Sequence, residues 1–364
     1  MKNKITLLIV ITLFLIILNP YKGVYAQNYS LTIITRNNTY TFYYPEVELK
    51  QGKYYLKDKL NVIDKIYLDS ITLPKNAKLK VDSGQNIVIE KGQNGYCVDK
   101  SFLAKQIDTA LKNSTEKIYA VYKEIYPEID SAYLNRCTNL RGQFSTNFSF
   151  STPERKQNIF LACEKINGTT LFSGEEFSFN QVVGKRTQEN GFKNAKVIQE
   201  GQFIEGIGGG VCQVSTTLYN AVLLSGLQIS EYHPHSLAVG YVEKSFDAMV
   251  TDLWADLKFV NNTSGIITIF SSINQDVLQI SLYGTSPEFT YQRESIVQEE
   301  LLPEVKIEYV SALVKGEQVV KVQGKSGFKS LGILKKYRNG VFVEKTILRN
   351  DEYKKIDTLV LQGE

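Results

Sequence analysis

Residues 206–226 read GIGGGVCQVSTTLYNAVLLSG. How the join between the glycines and the run after them is read decides the rest. Gly208, Gly209 and Gly210 allow backbone angles and close approaches that a Cβ forbids. Val211 to Leu224 then reads as a helix, with Val214, Leu218, Ala221 and Val222 on one apolar stripe and Gly226 closing it. Thr216, Thr217 and Asn220 fall on other faces. Cys212 therefore sits in a first helical turn, where free N–H groups and the helix dipole favour an anion. A thiol so placed ionises more readily, and the thiolate is the reactive form.

The chain holds two histidines in 364 residues, and both lie in Tyr232-His233-Pro234-His235. In an extended segment both face the same side, so either is a candidate base for Cys212. His235 is preferred, because it leads into the strand-like run SLAVGYV, and His233 is then a substrate contact or a surface contact. Asp247 lies in FDAMV, where Ala248 to Val250 suggest another strand. A carboxylate there suits the third position of a triad, holding the imidazole in one tautomer. The N–H groups of Gly209 and Gly210 are candidate oxyanion donors. Gln213, Ser215 and Thr216 are candidate substrate contacts or helix caps, and Arg186 a candidate partner for a substrate carboxylate. Each part also has a plain structural reading: a glycine turn, a core cysteine, a surface histidine, a solvated aspartate. A non-catalytic reading therefore stays open beside the catalytic one.

Cys212, His233, His235 and Asp247 or Asp252 include zinc-ligand types. No Cys-x-x-Cys or His-Glu-x-x-His spacing accompanies them, and no phosphate-loop or dinucleotide fingerprint is present. The expectation is neither metal nor cofactor.

Formal net charge is +4, with 43% hydrophobic and 22% charged residues. That is ordinary for globular protein, and mixed signs along the chain argue against a nucleic-acid binder. Lys2 and Lys4 precede an apolar run from Ile5 to Leu18, followed by Val24-Tyr25-Ala26. This is the pattern of a secretory signal cut after Ala26. Its removal takes away three lysines and no acid, so +4 becomes +1. The run falls short of the roughly 20 residues that span a bilayer. An uncleaved signal acting as an anchor is the alternative, and no other segment is expected to meet a membrane.

Cys163 reads as core and Cys97 and Cys137 as a possible pair, among four cysteines in all. Residues 27–94 alternate and read as β-rich. Asp99 reads as the N-cap of a helix with Phe102, Leu103, Ile107, Ala110 and Leu111 on one stripe. KIYAVYKEIYP reads as a strand and Ile129 to Asn135 as a second helix. Residues 142–153 read as polar and irregular, and Glu154 to Ile166 as a helix closed by Asn167-Gly168. SGIITIFSSINQDVLQISLYG reads as a hairpin turning at Asn274-Gln275-Asp276. Beyond Thr285 a linker leads to an all-β tail, 290–364. The fold class expected is α+β and multidomain, a mixed α/β domain of catalytic type flanked by β-rich modules.

Several stretches in 151–285 resemble the VanW family, named from a vancomycin-resistance gene cluster. They are FSGEEFSFNQVVGKRTQENGFKNAKVI, the glycine–cysteine stretch, HPHS, DAMV and DLKFVNNTSG. Arg155 and Asn158-Ile159 fit the helix that opens the family's domain. Residues 95–150 resemble the peptidoglycan-binding module often found before it, and the tail resembles a G5 module. The resemblance implies a secreted, cell-wall protein acting on peptidoglycan stem peptides. The reaction implied is L,D-transpeptidation forming 3–3 crosslinks through a cysteine thioester, with Cys212, His235 and Asp247 at the motif positions. The alternatives are a non-catalytic wall-binding or scaffold protein and a cysteine peptidase acting on stem peptides. This chain departs from the family's pattern twice. Tyr232 stands where an arginine is usual, and Ser245 where a glycine often precedes the Asp-Ala pair.

Overall fold

The computed structural model describes residues 29–82, 86–199 and 201–364. The expected signal, residues 1–26, lies outside the described residues. Among the described residues no helix is long and apolar enough to cross a membrane. The chain is multidomain and rich in strands, and its contacts divide it into two compact units.

The first unit comprises residues 29–78 and 90–131. Its central strand, Leu31–Ile34, buries alternate residues, pairs antiparallel with Thr39–Phe42 and parallel with Lys117–Tyr119. Helix Lys100–Asn113 is capped by Asp99, whose carboxylate accepts from the Ser101 and Phe102 N–H groups. Leu103, Ile107, Ala110 and Leu111 point into the core, but Phe102 is 46% exposed and off the stripe expected for it. The apolar run KIYAVYKEIYP is two strands, Lys117–Tyr119 and Tyr122–Ile125, that serve different sheets. The second helix begins later than expected, at Ser131. A further helix, Lys59–Ser70, occupies part of the segment read as β-rich. It buries Ile63, Ile66 and Ser70, a helical spacing that its β-branched and aromatic residues conceal. One core joins Leu31, Ile33, Ile63 and Ile66 to Leu103 and Ile107, so it runs across the division expected at 94/95.

The second unit contains residues 132–364 together with the short stretch 79–89. A four-stranded sheet runs in the order Asn139–Asn147, Val277–Gly284, Ile267–Asn274, Thr170–Leu171. The hairpin turn falls at Gln275 and Asp276, both at positive φ. Strand Asn139–Asn147 contradicts the irregular reading of 142–153. Its alternation is hidden because an inward residue, Thr146, is polar; it bonds the Thr217 hydroxyl at 2.8 Å instead of packing on hydrocarbon. Helix Pro153–Ile166 starts at Thr152, which caps the Arg155 N–H.

Helix Val211–Leu224 has the predicted bounds but not the predicted environment. It is buried all round, its polar faces included: Gln213, Ser215, Thr216, Thr217 and Asn220 are each at most 1% exposed. A helix that is polar on a buried face needs partners for each group. Here Ser215 donates to the Ala248 carbonyl, Asn220 to the Phe246 carbonyl and Thr217 to that of Gln213. Neither SLAVGYV nor Ala248–Val250 forms a strand. Both run as loop; in the second, the Ala248 N–H is met by the Thr216 hydroxyl and the Met249 N–H by the His233 carbonyl rather than by a neighbouring strand.

The tail forms two three-stranded sheets. One is ordered Thr290–Leu301, Gly327–Arg338, Val341–Tyr353, and the other Val305–Lys315, Thr358–Gly363, Gln318–Val322.

Candidate active site

The glycines before Cys212 make a turn that other residues would block. Gly210 has φ 110°, and a Cβ on it would stand 2.9 Å from Arg155 Cγ. A Cβ on Gly209 would stand 2.6 Å from the Lys196 carbonyl oxygen, against the hairpin Asn194–Gln199/Gln202–Ile207. Buried Asn158 ties the turn down. Its Nδ2 donates to the carbonyls of Gly209 and Lys193, each at 2.9 Å, and its Oδ1 accepts from the Lys193 N–H. The turn thus delivers Cys212 to the helix start in one orientation.

Cys212 is half-buried, whereas Cys97, Cys137 and Cys163 are buried; all four are free thiols. Its Sγ donates to the Val250 carbonyl oxygen at 3.4 Å, and the His235 imidazole is the neighbour that acts most strongly on its ionisation. Burial pushes the thiol up, but the hydrogen bond and charge of His235 outweigh it, helped by the charge of Arg186. The net effect lowers the thiol below its ordinary value. His235 is 5% exposed. Burial works against its charged form, but bonds to Asp247 and Cys212 raise it from 6.5 to about 9. Nδ1 is 2.7 Å from Asp247 Oδ2, which leaves Nε2 for the sulfur. The same carboxylate oxygen accepts from the His235 backbone N–H at 2.7 Å.

Asp247 is 1% exposed, and burial alone would raise its carboxyl. The bond and charge of His235 reverse that, together with Arg349 and Tyr353, and hold it well below the usual carboxylate range. Tyr353 donates to Oδ1 at 2.5 Å and Arg349 to the same oxygen at 3.2 Å. Arg349 also donates to the Asp247 backbone carbonyl. A buried carboxylate with four charge-assisted or hydroxyl donors is ionised and fixed in place.

The two histidines do not share a face. Asp247 holds the His235 ring inward, while His233 Nε2 lies 3.0 Å from Glu231 and its ring meets Trp254 edge-on at 5.1 Å. Among the described residues no three His, Cys, Asp or Glu side chains are grouped to hold a metal ion. Three of the candidate substrate contacts are committed elsewhere. Gln213 takes Arg155 on Oε1 and donates to Thr146 and the Asn147 carbonyl. Ser215 and Thr216 bond Ala248, pinning the segment that carries Asp247. None of the three is a helix cap either. Arg186 does not extend toward solvent: its guanidinium pairs with Asp252 and donates to Asn180 at 2.6 Å. Its charge acts on the sulfur without being free for a ligand.

Three residues around the Cys212–His235–Asp247 line carry no signal in the sequence. Tyr241 lies near the sulfur, and burial together with the sulfur's charge keeps its phenol protonated. Arg349 and Tyr353 lie more than a hundred residues beyond Asp247 in sequence. The spacing Arg349, Asp351, Tyr353 places all three on one strand face, but nothing in that pattern names the residue they meet. The two departures from the family pattern have structural roles. The Tyr232 ring lies 4.9 Å under the Arg349 guanidinium. Ser245 has φ 62°, the left-handed region that favours glycine.

Sequence comparison places this chain in a known family. Residues 154–283 match the family model described as VanW like protein, and residues 292–364 the G5 domain. Residues 42–120 match a model described as "Putative peptidoglycan binding domain", which takes in much of the segment read as β-rich. Over 269 residues, 73% of this chain and 86% of the relative, the chain is 34% identical to the uncharacterized protein YoaR of Bacillus subtilis (strain 168); it belongs with it to the VanW family.

A second relative, the vancomycin B-type resistance protein VanW of Enterococcus faecalis (strain ATCC 700802 / V583), is 28% identical over 139 residues. That match covers 36% of this chain and half of the relative. A solved G5 domain of an IgA1 protease is 24% identical, with a TM-score of 0.18, covering 22% of this chain and 94% of that one. The chain is thus a cell-wall-associated protein with peptidoglycan-binding and G5 modules, which point to a cell-wall or extracellular location.

Proposed function

We propose that this protein is a cysteine-dependent L,D-transpeptidase that joins peptidoglycan stem peptides through 3–3 crosslinks. The observation that carries the proposal is the line from half-buried Cys212 to His235 to Asp247 at the start of a buried helix. The 151–285 region is then a domain of catalytic type. The thiolate attacks the carbonyl carbon of an L-to-D peptide bond in the donor stem. The oxyanion that forms is met by backbone N–H groups at Gly209 and Gly210. The C–N bond breaks, imidazolium His235 gives its proton to the departing amine of the terminal D-residue, and a thioester remains. An acceptor stem's amine then attacks the thioester, neutral His235 takes the proton, and the thiolate leaves. No cofactor enters this cycle. His233, two residues from His235, is held by Glu231 and by the exposed Trp254 and is the group we assign to contact with the stem peptide.

The test is incubation of the purified protein with disaccharide-tetrapeptide and mass spectrometry of the products. A crosslinked dimer that disappears in folded Cys212→Ala supports the proposal. Shortened monomers without dimers would make the protein a peptidase instead. Identical product profiles for the wild-type and Cys212→Ala proteins would leave it a wall-binding scaffold.

A further inference from the structure

The carboxylate of Asp247 has two oxygens, and one of them belongs to the tail. Oδ2 serves His235, while Oδ1 is filled from outside the domain by Tyr353 and Arg349. Both tail residues are buried, Arg349 at 3% and Tyr353 at 1% exposure. Arg349 is itself oriented by Asp351, which accepts from its Nε at 2.8 Å, and by the ring of Tyr232 beneath it.

The tail holds the neighbours of Asp247 as well. The Tyr353 hydroxyl accepts from the Ser245 N–H at 2.8 Å, and the Ser245 hydroxyl bonds Ser330 at 2.8 Å. Those bonds hold a non-glycine residue at positive φ two positions before Asp247, a conformation that L side chains disfavour. Gly332 permits the approach: a Cβ there would stand 2.7 Å from the Ser245 carbonyl oxygen. The Arg293 guanidinium lies 4.6 Å over the Phe246 ring, and the Lys354 N–H donates to the carbonyl of Ser236, next to His235.

We infer that the G5 module is a working part of the active site, with Tyr353 and Arg349 as positioning residues that fix Asp247 and through it the His235 imidazole. A module that served only to hold the protein to the wall would not need to bury an arginine and a tyrosine on a catalytic carboxylate. The inference rests on the proposed role of Cys212, but its test does not require a turnover assay.

The probe is iodoacetamide, which reads the thiolate; the other three cysteines are buried. The charged and titratable groups around the line are Arg349, Tyr353, Tyr219 and Tyr232 at the carboxylate and Tyr241, Arg155 and Arg186 at the sulfur. Only the first two are changed. In the full chain, Tyr353→Phe keeps the ring and removes the hydroxyl. We expect its alkylation rate at pH 7 to fall about tenfold and the midpoint of the pH profile to rise. Arg349→Met should act in the same direction, and Arg349→Lys should recover part of the loss. Arg293→Ala loosens the same docking surface without touching Asp247, and should leave the pH midpoint in place.

A wild-type pH profile in folded Tyr353→Phe and Arg349→Met would overturn the inference and make the tail a stabilising neighbour only. So would a midpoint that moves equally in Arg293→Ala. If the wild-type protein gives the expected alkylation profiles but forms no crosslinks, the transpeptidase reading fails while the positioning role stands.

Discussion

Replacing Asp247 by Asn tests how the thiol is activated. The raised His235, from 6.5 to about 9, corresponds to a preference for imidazolium of about 3 kcal/mol. Burial opposes the charged ring, so this preference comes from its partners, and the bond that Nδ1–H donates to Asp247 is the largest favourable contribution. A hydrogen bond to a charged group is worth about 1.5–3 kcal/mol. Losing it reduces the thiolate–imidazolium pair by about ten- to a hundredfold, since about 1.4 kcal/mol is a factor of ten. The amide also offers its NH₂ where Oδ2 now accepts from Nδ1, which disfavours the tautomer that serves Cys212. Iodoacetamide alkylation followed by mass spectrometry from pH 5 to pH 10 should show Cys212 reacting about ten- to a hundredfold more slowly at pH 7. The reaction midpoint should shift toward an ordinary thiol, about 8.5. Folded Asp247→Asn with the wild-type curve would refute the reasoning, because the sulfur would then be activated without the carboxylate.

Acid stability follows from the same residue. Asp247 is depressed below 3.8, so it contributes stability that is present above that pH and is lost as pH falls further. Thermal melts of the wild type should therefore drop more steeply below about pH 4 than those of Asp247→Asn; parallel curves would contradict this. Asn158→Ala should cost about 1–3 kcal/mol by chemical denaturation, because it strands buried backbone groups of Lys193 and Gly209. A change below about 0.5 kcal/mol would show the turn to be held by other contacts. Gly210→Ala should lower the melting temperature and slow Cys212 alkylation together, since the new methyl meets Arg155 and the backbone is at φ 110°. Unchanged alkylation would mean the turn does not orient the thiol.

Much of the site was legible because its chemistry sits in short segments. The glycines, Cys212 and the amphipathic run after them fix a helix start by local rules, and helix Val211–Leu224 has the expected bounds. Asp99 capped its helix as its position in the sequence implies. What stayed hidden was long-range. Thr216 and Asn220 look like residues of an exposed helix face, yet they bond an extended segment some thirty residues away. The strand Asn139–Asn147 looked irregular because polar inward residues break the alternation. The choice between His233 and His235 could not be made from periodicity, since it depends on which carboxylate each ring meets. Arg349 and Tyr353 carry no local mark at all: only the packing of the tail shows that they end on Asp247.

Synthesis runs from the N-terminus, and Tyr353 emerges 106 residues after the carboxylate it bonds. Until that strand has folded back, the aspartate has only the two donors that His235 supplies. On the positioning role inferred above, the full set of donors to Asp247 is therefore assembled only when residues far along the chain have been made.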